Sequence, residues 1–346
     1  MDIFQAPSEG LLAEVATPEE IARFVVAAAV NAPSVHNTQP WWFDHDEHEI
    51  NVHADNERQL RVADPHGREM MISCGAALFT VRLALRNLGF VPRVRVLPDP
   101  DLPNLVAQVA WGERVPPVEY EKQLFAEVPR RRTHRGGFDP APLPARLLED
   151  LTKEAAREKT TLRLLAGADD QQRAAAIAAV VEAGDHALRL DSARAREEAH
   201  WAPGPSGHRQ DGVPPTAYPA QPERTEPNFP GRDFAHGHGW GLPPGEQEPV
   251  VRSAGVVGLL TTGVDHPVDW IHAGQALQRV LLLASSCQVA AALHSQPLEL
   301  PLLRDFIRVH LIDRAYPQMV VRFGVTGETA VSVRRPVEDV LTAKWD

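Results

Sequence analysis

The chain has 346 residues, 43% of them hydrophobic, and a formal net charge of −11 from 46 acidic against 35 basic residues. That length and apolar content can bury one large core or two linked ones. The acidic balance excludes general binding to nucleic acid or to an anionic membrane, so any anion site has to be local.

Met1-Asp2-Ile3-Phe4 lacks the basic and apolar regions of a secretory signal, and the apolar run 256–262 is too short to cross a bilayer, so the reading is a cytoplasmic protein. Cys74 and Cys287, the two cysteines, fall in apolar helical patterns, which predicts buried reduced thiols. Residues 1–16 read as a loosely held leader. Thr17-Pro18-Glu19-Glu20 then starts a helix: threonine caps, proline suits the first position, and Glu20 closes a capping box. The helix runs to about Val30 with Ile21, Phe24, Val25 and Ala28 inward, and ends in the turn-forming loop Ala32-Pro33-Ser34-Val35-His36-Asn37-Thr38-Gln39-Pro40-Trp41. One of Trp41 and Trp42 plugs the core. The stretch 44–52 predicts an edge strand.

Met71, Cys74, Leu78, Val81, Leu85 and Leu88 recur at steps of three and four, predicting a helix with one buried stripe. A proline-rich link and a strand over 105–112 follow. Arg130-Arg131-Arg132-Thr133-His134-Arg135-Gly136-Gly137-Phe138 places four guanidiniums within six residues, a set of forked donors suited to a phosphate. Next come a helix over 146–157, a strand over 162–165 and an alanine-rich helix over 171–190. Residues 201–250 are rich in Pro and Gly, show no sustained period, and carry Trp201, Tyr218, Phe229 and Trp240, which predicts a packed lid. A strand over 250–262 returns the chain to the core.

The helix around 273–287 repeats the earlier stripe, and an offset of 199 residues superposes Gly75 on Gly274, Leu78 on Leu277, Val81 on Val280 and Pro98 on Pro297. The strand 319–324 closes the repeat with glycine, as the strand ending at Gly112 does. The pattern predicts an internal duplication and an α+β fold of two fused homologous halves, 1–127 and 128–346, packed as an intramolecular pseudo-dimer with a lid-like insert at 201–250. The arginine cluster lies only in the second half and the Pro-Ser-x-x-Asn-x-Gln-Pro-Trp loop only in the first, so one complete site is expected per chain. His36 and His134 read as hydrogen-bonding scaffold. His45, His48, His53 and His236-Gly237-His238 lack a ligand framework, so no metal is expected, and no catalytic side chain is assigned. No dinucleotide fingerprint, phosphate-binding P-loop or nucleophile elbow occurs.

The 32–41 loop is similar to the flavin-contacting loop of the nitroreductase family, and Arg131-Arg132-Thr133-His134-Arg135 resembles that family's phosphate-binding motif. The runs Asp211-Gly212-Val213-Pro214, Arg232-Asp233-Phe234, 269–280 and Pro317-Gln318-Met319-Val320 resemble its fused, Acg-like branch, with coverage from about Glu19 to Val340. The resemblance implies FMN, with its phosphate on Arg131, Arg132, Thr133 and Arg135, joined by Arg334 and Arg335. It implies that Pro33, Ser34, Val35 and Asn37 line the isoalloxazine ring and that Gln296-Pro297-Leu298-Glu299 forms the loop whose amide faces flavin N5. The flavin supplies the redox chemistry. NAD(P)H is implied as transient co-substrate, with hydride passing to a small electron-poor acceptor, a nitroaromatic or quinone. The alternative is an FMN-sequestering or regulatory protein under a closed lid. The chain is expected as a monomer or weak homodimer.

Overall fold

The computed structural model describes residues 17–203, 208–219, 223–230, 250–328 and 331–343. Trp240, Arg232-Asp233-Phe234, His236-Gly237-His238 and the leader 1–16 lie outside the described residues. The elements in order are α1 (Pro18–Ala29), β1 (Trp41–His45), β2 (Glu49–Ala54), α2 (Arg68–Asn87), β3 (Arg93–Val96), β4 (Leu105–Ala110) and α3 (Glu119–Glu127). They continue with α4 (Ala145–Arg157), β5 (Thr161–Leu165), α5 (Gln171–Arg189), α6 (Ser192–His200), β6 (Glu223–Glu226), β7 (Val250–Ser253) and β8 (Val256–Thr262). The chain closes with α7 (Pro267–Ser286), β9 (Ala290–His294), α8 (Gln296–Glu299), α9 (Pro301–His310), β10 (Tyr316–Gly324) and β11 (Leu341–Ala343).

The capping box forms as expected: Glu20 N donates to Thr17 Oγ1 at 3.3 Å, and Thr17 N donates back to Glu20 Oε2 at 2.8 Å. Trp41 is the tryptophan that plugs the core, and Trp42 stacks flat on its cross-strand neighbour His53 at 3.8 Å.

The duplication is visible in the topology. Four strands of one sheet have the order β1-β2-β4-β3 and a second sheet has β5-β8-β10-β9, every one of these neighbouring pairs antiparallel. In each half a helix precedes the first strand, α1 or α4. A long helix, α2 or α7, follows the second. The long helices cross at the centre of one continuous apolar core. At the crossing a Cβ on Gly75 would lie 2.3 Å from the carbonyl oxygen of Ile271, and one on Gly274 would lie 1.9 Å from that of Ile72. The contacts are reciprocal and obey the 199-residue offset, as a two-fold axis requires. Only residues without a Cβ allow backbones this close.

Several expectations need correction. Residues 44–52 belong to a hairpin whose β2 is interior, hydrogen-bonded to both β1 and β4, so this is no edge. Rather than one buried stripe, α2 is buried on nearly every side, because it is held between its own sheet and α7. Cys74 is buried, but Cys287 caps the end of α7 and is exposed. The strand expected over 250–262 breaks at Gly255, where φ is +73°, into β7 and β8 of different sheets. Within the insert, β6 pairs in parallel with β7. Finally, β11 pairs in parallel with β1, so the stretch 331–343 returns to the first-half sheet. Among the described residues no helix is long and apolar enough to cross a membrane.

Candidate flavin site between the halves

The loop after α1 is held in an uncommon shape. His36, Asn37 and Gln39 have φ of 48°, 54° and 49°, a region that non-glycine residues rarely occupy. Ser34 Oγ accepts from Gln39 N at 2.9 Å. The two amide side chains tie the loop to distant segments. Asn37 Nδ2 donates to Gly212 O at 2.9 Å and Val333 O at 3.0 Å, while its Oδ1 accepts from Arg334 at 2.9 Å. Gln39 donates to Gln210 O at 2.8 Å and accepts from Arg335 N at 2.8 Å. Asn37→Ala removes all three of these hydrogen bonds at a buried position, so a loss of about 1–3 kcal/mol in stability is expected in denaturant melts.

Opposite this loop, the arginine stretch lies along the edge of β9, with His134 N donating to Ala291 O at 2.8 Å. Arg131 and Arg334 converge from either side on one acceptor, Asn31 O, at 3.1 and 3.3 Å. The Nε of each is buried without a hydrogen-bond partner. Arg135 donates to Thr133 O at 3.2 Å and lies over the ring of Tyr218. Among the described residues, no carboxylate forms an ion pair with Arg131, Arg135 or Arg334. Burial pulls the Arg131 guanidinium down to about 9, and the charges of Arg132 and Arg135 add to the shift. Burial also pulls Arg334 well down, followed by repulsion from Arg131, Arg132 and Arg135. The apoprotein therefore holds confined positive charge that an anion would relieve.

These residues line a polar compartment of about 300 Å³ with Pro33, Ser34, Asn37, Thr133, Gly212 and Val213. Through Pro33, Ser34, Thr133, Arg135 and Val213 it adjoins a larger compartment with about 950 Å³ free of protein atoms, its open mouth included. The larger wall carries Val35, Ile72, Leu277 and Met319 beside polar Glu69, Ser73, His294 and Gln296. At its base Arg322 donates to His294 Nε2 at 2.9 Å and to the carbonyls of Ala254 and Gly136 at 3.0 and 3.2 Å. Gln296 Oε1 is buried with no partner.

The other expected residues are placed differently. Arg132 turns to Arg131 O and borders a separate surface cavity with Arg130. Arg335 reaches Asp339 O at 2.9 Å and does not line either compartment. Of the 296–299 stretch, which forms α8, only Gln296 lines the cavity. Pro297 packs on Gly184, Leu298 is buried in a separate apolar cluster with Ile177, Val181 and Ile307, and Glu299 ion-pairs with Arg194. Gly212 and Val213, quoted above for a resemblance, do reach the site. Glu69, Ser73, His294 and Arg322 carried no sequence signal beyond their helix or strand. His53, singled out above, pairs with Asp44 at 2.7 Å, and no group of metal-ligating side chains forms among the described residues.

Among known proteins, no family model matches the chain. A Mycobacterium tuberculosis protein, Rv3131, whose provisional name is NAD(P)H nitroreductase, is 34% identical over 307 residues, 88% of this chain and 85% of its own. The chain belongs to the nitroreductase family and is an oxidoreductase with that family's α+β fold. The M. tuberculosis protein Acg, provisionally named in the same way, is 26% identical over 339 residues, 93% of this chain and 95% of its own. A solved nitroreductase with bound FMN from Desulfitobacterium hafniense is similar at 12% identity and a TM-score of 0.37, covering 64% of this chain and 97% of that one.

Proposed function

We propose that the chain is an FMN-dependent oxidoreductase that moves a hydride from NADPH or NADH to an electron-poor acceptor, a nitroaromatic or a quinone. One observation carries this reading: guanidiniums from distant segments, without carboxylate partners among the described residues, meet at the polar end of a cavity whose other end is wide and mostly apolar. That arrangement suits a phosphate joined to a flat ring system. Arg131, Arg135 and Arg334, with the hydroxyls of Thr133 and Ser34, would hold the phosphate. Pro33, Val35 and Ile72 would flank the ring, and the buried Gln296 Oε1 is an acceptor for a ring N–H. When bound, the flavin takes up and passes on the hydride. Arg132 and Arg335 add positive potential from outside the lining, while Pro297, Leu298 and Glu299 anchor the segment that carries Gln296.

In the same reading the halves 1–127 and 128–346 form a fused, Acg-like pseudo-dimer with one site. The counterpart of loop 30–40, between α4 and β5, is only residues 158–160, too short to line a second cavity. One FMN per chain is therefore expected from flavin absorbance against protein concentration, and two per chain would refute the assignment.

A second reading, an FMN-sequestering protein, is favoured by the ties that hold residues 210–212 over the phosphate end. Arg58 ion-pairs with Asp211 beside the Asn37 and Gln39 contacts. Anaerobic addition of NADPH or NADH decides between them. Bleaching of the flavin followed by reoxidation with a quinone or nitroaromatic supports the enzyme; a flavin that stays oxidised supports sequestration.

A further inference from the structure

We infer that Glu69 is the proton donor for the acceptor reduced in this cavity, an assignment that rests on the oxidoreductase reading above. Glu69 opens α2, is 2% exposed, and stands in the partition between the large compartment and a small one of about 200 Å³. Its Oε1 accepts from Arg68 at 2.8 Å, and its Oε2 is buried with no hydrogen-bond partner. On the far side of the partition the small compartment is lined by Asp64, Arg58 and Gln59 together with apolar Val35, Leu60 and Met70. Asp64 itself is fixed by Met70 N at 2.9 Å.

The charged groups around Glu69 come from several elements. Arg68 shares its helix and is held by Gln318 O at 3.0 Å; Asp64 precedes the helix; Arg194 comes from α6 and Arg304 from α9, the latter engaged by Asp265. Burial raises the carboxyl, Arg68 opposes the rise, and Asp64 reinforces it, leaving Glu69 well above the usual carboxylate range. A carboxylic acid kept protonated toward neutrality, one oxygen anchored on Arg68 and the other unpartnered, in the wall of a reaction cavity, has the properties of a general acid.

The step balances simply. A quinone that takes up one hydride, ultimately from the nicotinamide, becomes a hydroquinone monoanion. The Glu69 O–H bond breaks, an O–H bond forms on the anionic oxygen, and Glu69 is left as a carboxylate against Arg68. Water reprotonates it from the side of the small compartment.

The test uses the full-length, FMN-loaded chain and benzoquinone. Glu69→Gln is expected to keep its flavin yet reduce the quinone roughly 10²–10⁴-fold more slowly. It also loses the wild-type decline in rate as pH rises through the Glu69 titration. Glu69→Asp recovers part of the rate. In parallel, infrared difference spectra of oxidised wild-type protein carrying ¹³C-labelled glutamate, near-neutral minus alkaline pH, should show a label-sensitive protonated carboxyl band. That readout serves even if the glutamine variant does not fold. An unchanged quinone rate and pH profile in Glu69→Gln, or no such band in the wild type, overturns the assignment. A protein that never holds flavin fails the earlier reading instead, and is recognised by its missing visible absorbance.

Discussion

Replacing Arg131 and Arg334 together by alanine is expected to strip the protein of FMN while costing the apoprotein little net stability. Each charge-assisted contact to a phosphate contributes roughly 1.5–3 kcal/mol, so losing two weakens binding by roughly 10²–10⁴-fold. The small net effect in the apoprotein follows from the geometry: the lost hydrogen bonds to Asn31 O and Asn37 Oδ1 are set against two guanidiniums confined together, each with a buried, unpaired Nε and, among the described residues, no carboxylate partner. Removing them relieves repulsion and desolvation that only an anion offsets. Equilibrium dialysis with FMN and thermal melts of the apoprotein check both halves of the prediction. Flavin loss accompanied by a large drop in melting temperature would mean that the arginines serve the fold. Arg131→Lys is the finer probe, since it keeps charge but loses the planar fork, and intermediate affinity is expected.

The second large effect concerns the helix crossing. Gly75→Ala or Gly274→Ala drives a methyl group into a carbonyl oxygen of the opposite helix, at 2.3 or 1.9 Å. The obstacle is backbone in the middle of α2 or α7, so no rotamer change relieves it. The helices have to separate, and the cost is at least the roughly 1–3 kcal/mol typical of overpacked cores. Because both changes strain one crossing, the double variant should cost less than the sum of the two, a coupling that denaturant melts would measure. Flavin should also be lost, because Ile72 on α2 and Leu277 on α7 line the large compartment from beside the crossing.

Much of this architecture could be read from the chain, and what could not has a physical cause. The helices α1, α2, α4, α5 and α7 have caps or apolar periodicity strong enough to stand out locally, and the 199-residue offset between Gly75 and Gly274 proved to be a spatial contact. By contrast α6 reads Ser-Ala-Arg-Ala-Arg-Glu-Glu-Ala-His, with no apolar stripe, and is held by ion pairs from Arg194 to Glu198 and Glu299. Strand β3, Arg-Val-Arg-Val, is at the edge of its sheet and nowhere fully buried. The site divides in the same way. The arginines and the Ser/Asn loop were legible because their side chains are unusual for their surroundings. Glu69 was not, since an acid in a first helical turn is ordinary and only the tertiary fold buries it and brings Arg194 and Arg304 near it. The placements of Arg132, Arg335 and Glu299 depend on hydrogen bonds to carbonyls or on an ion pair across the fold, which no local pattern encodes.

The strand β11 lies beside β1, and just ahead of it the chain delivers Arg334 to the loop after α1. During synthesis, residues 17–54 therefore emerge nearly three hundred residues before the segment that completes their sheet and their guanidinium cluster. Until residues 331–334 are in place the cavity is short of a wall, so cofactor capture on this chain waits for that late segment. A protein stalled or cleaved ahead of residue 331 could keep most of its core and still be colourless.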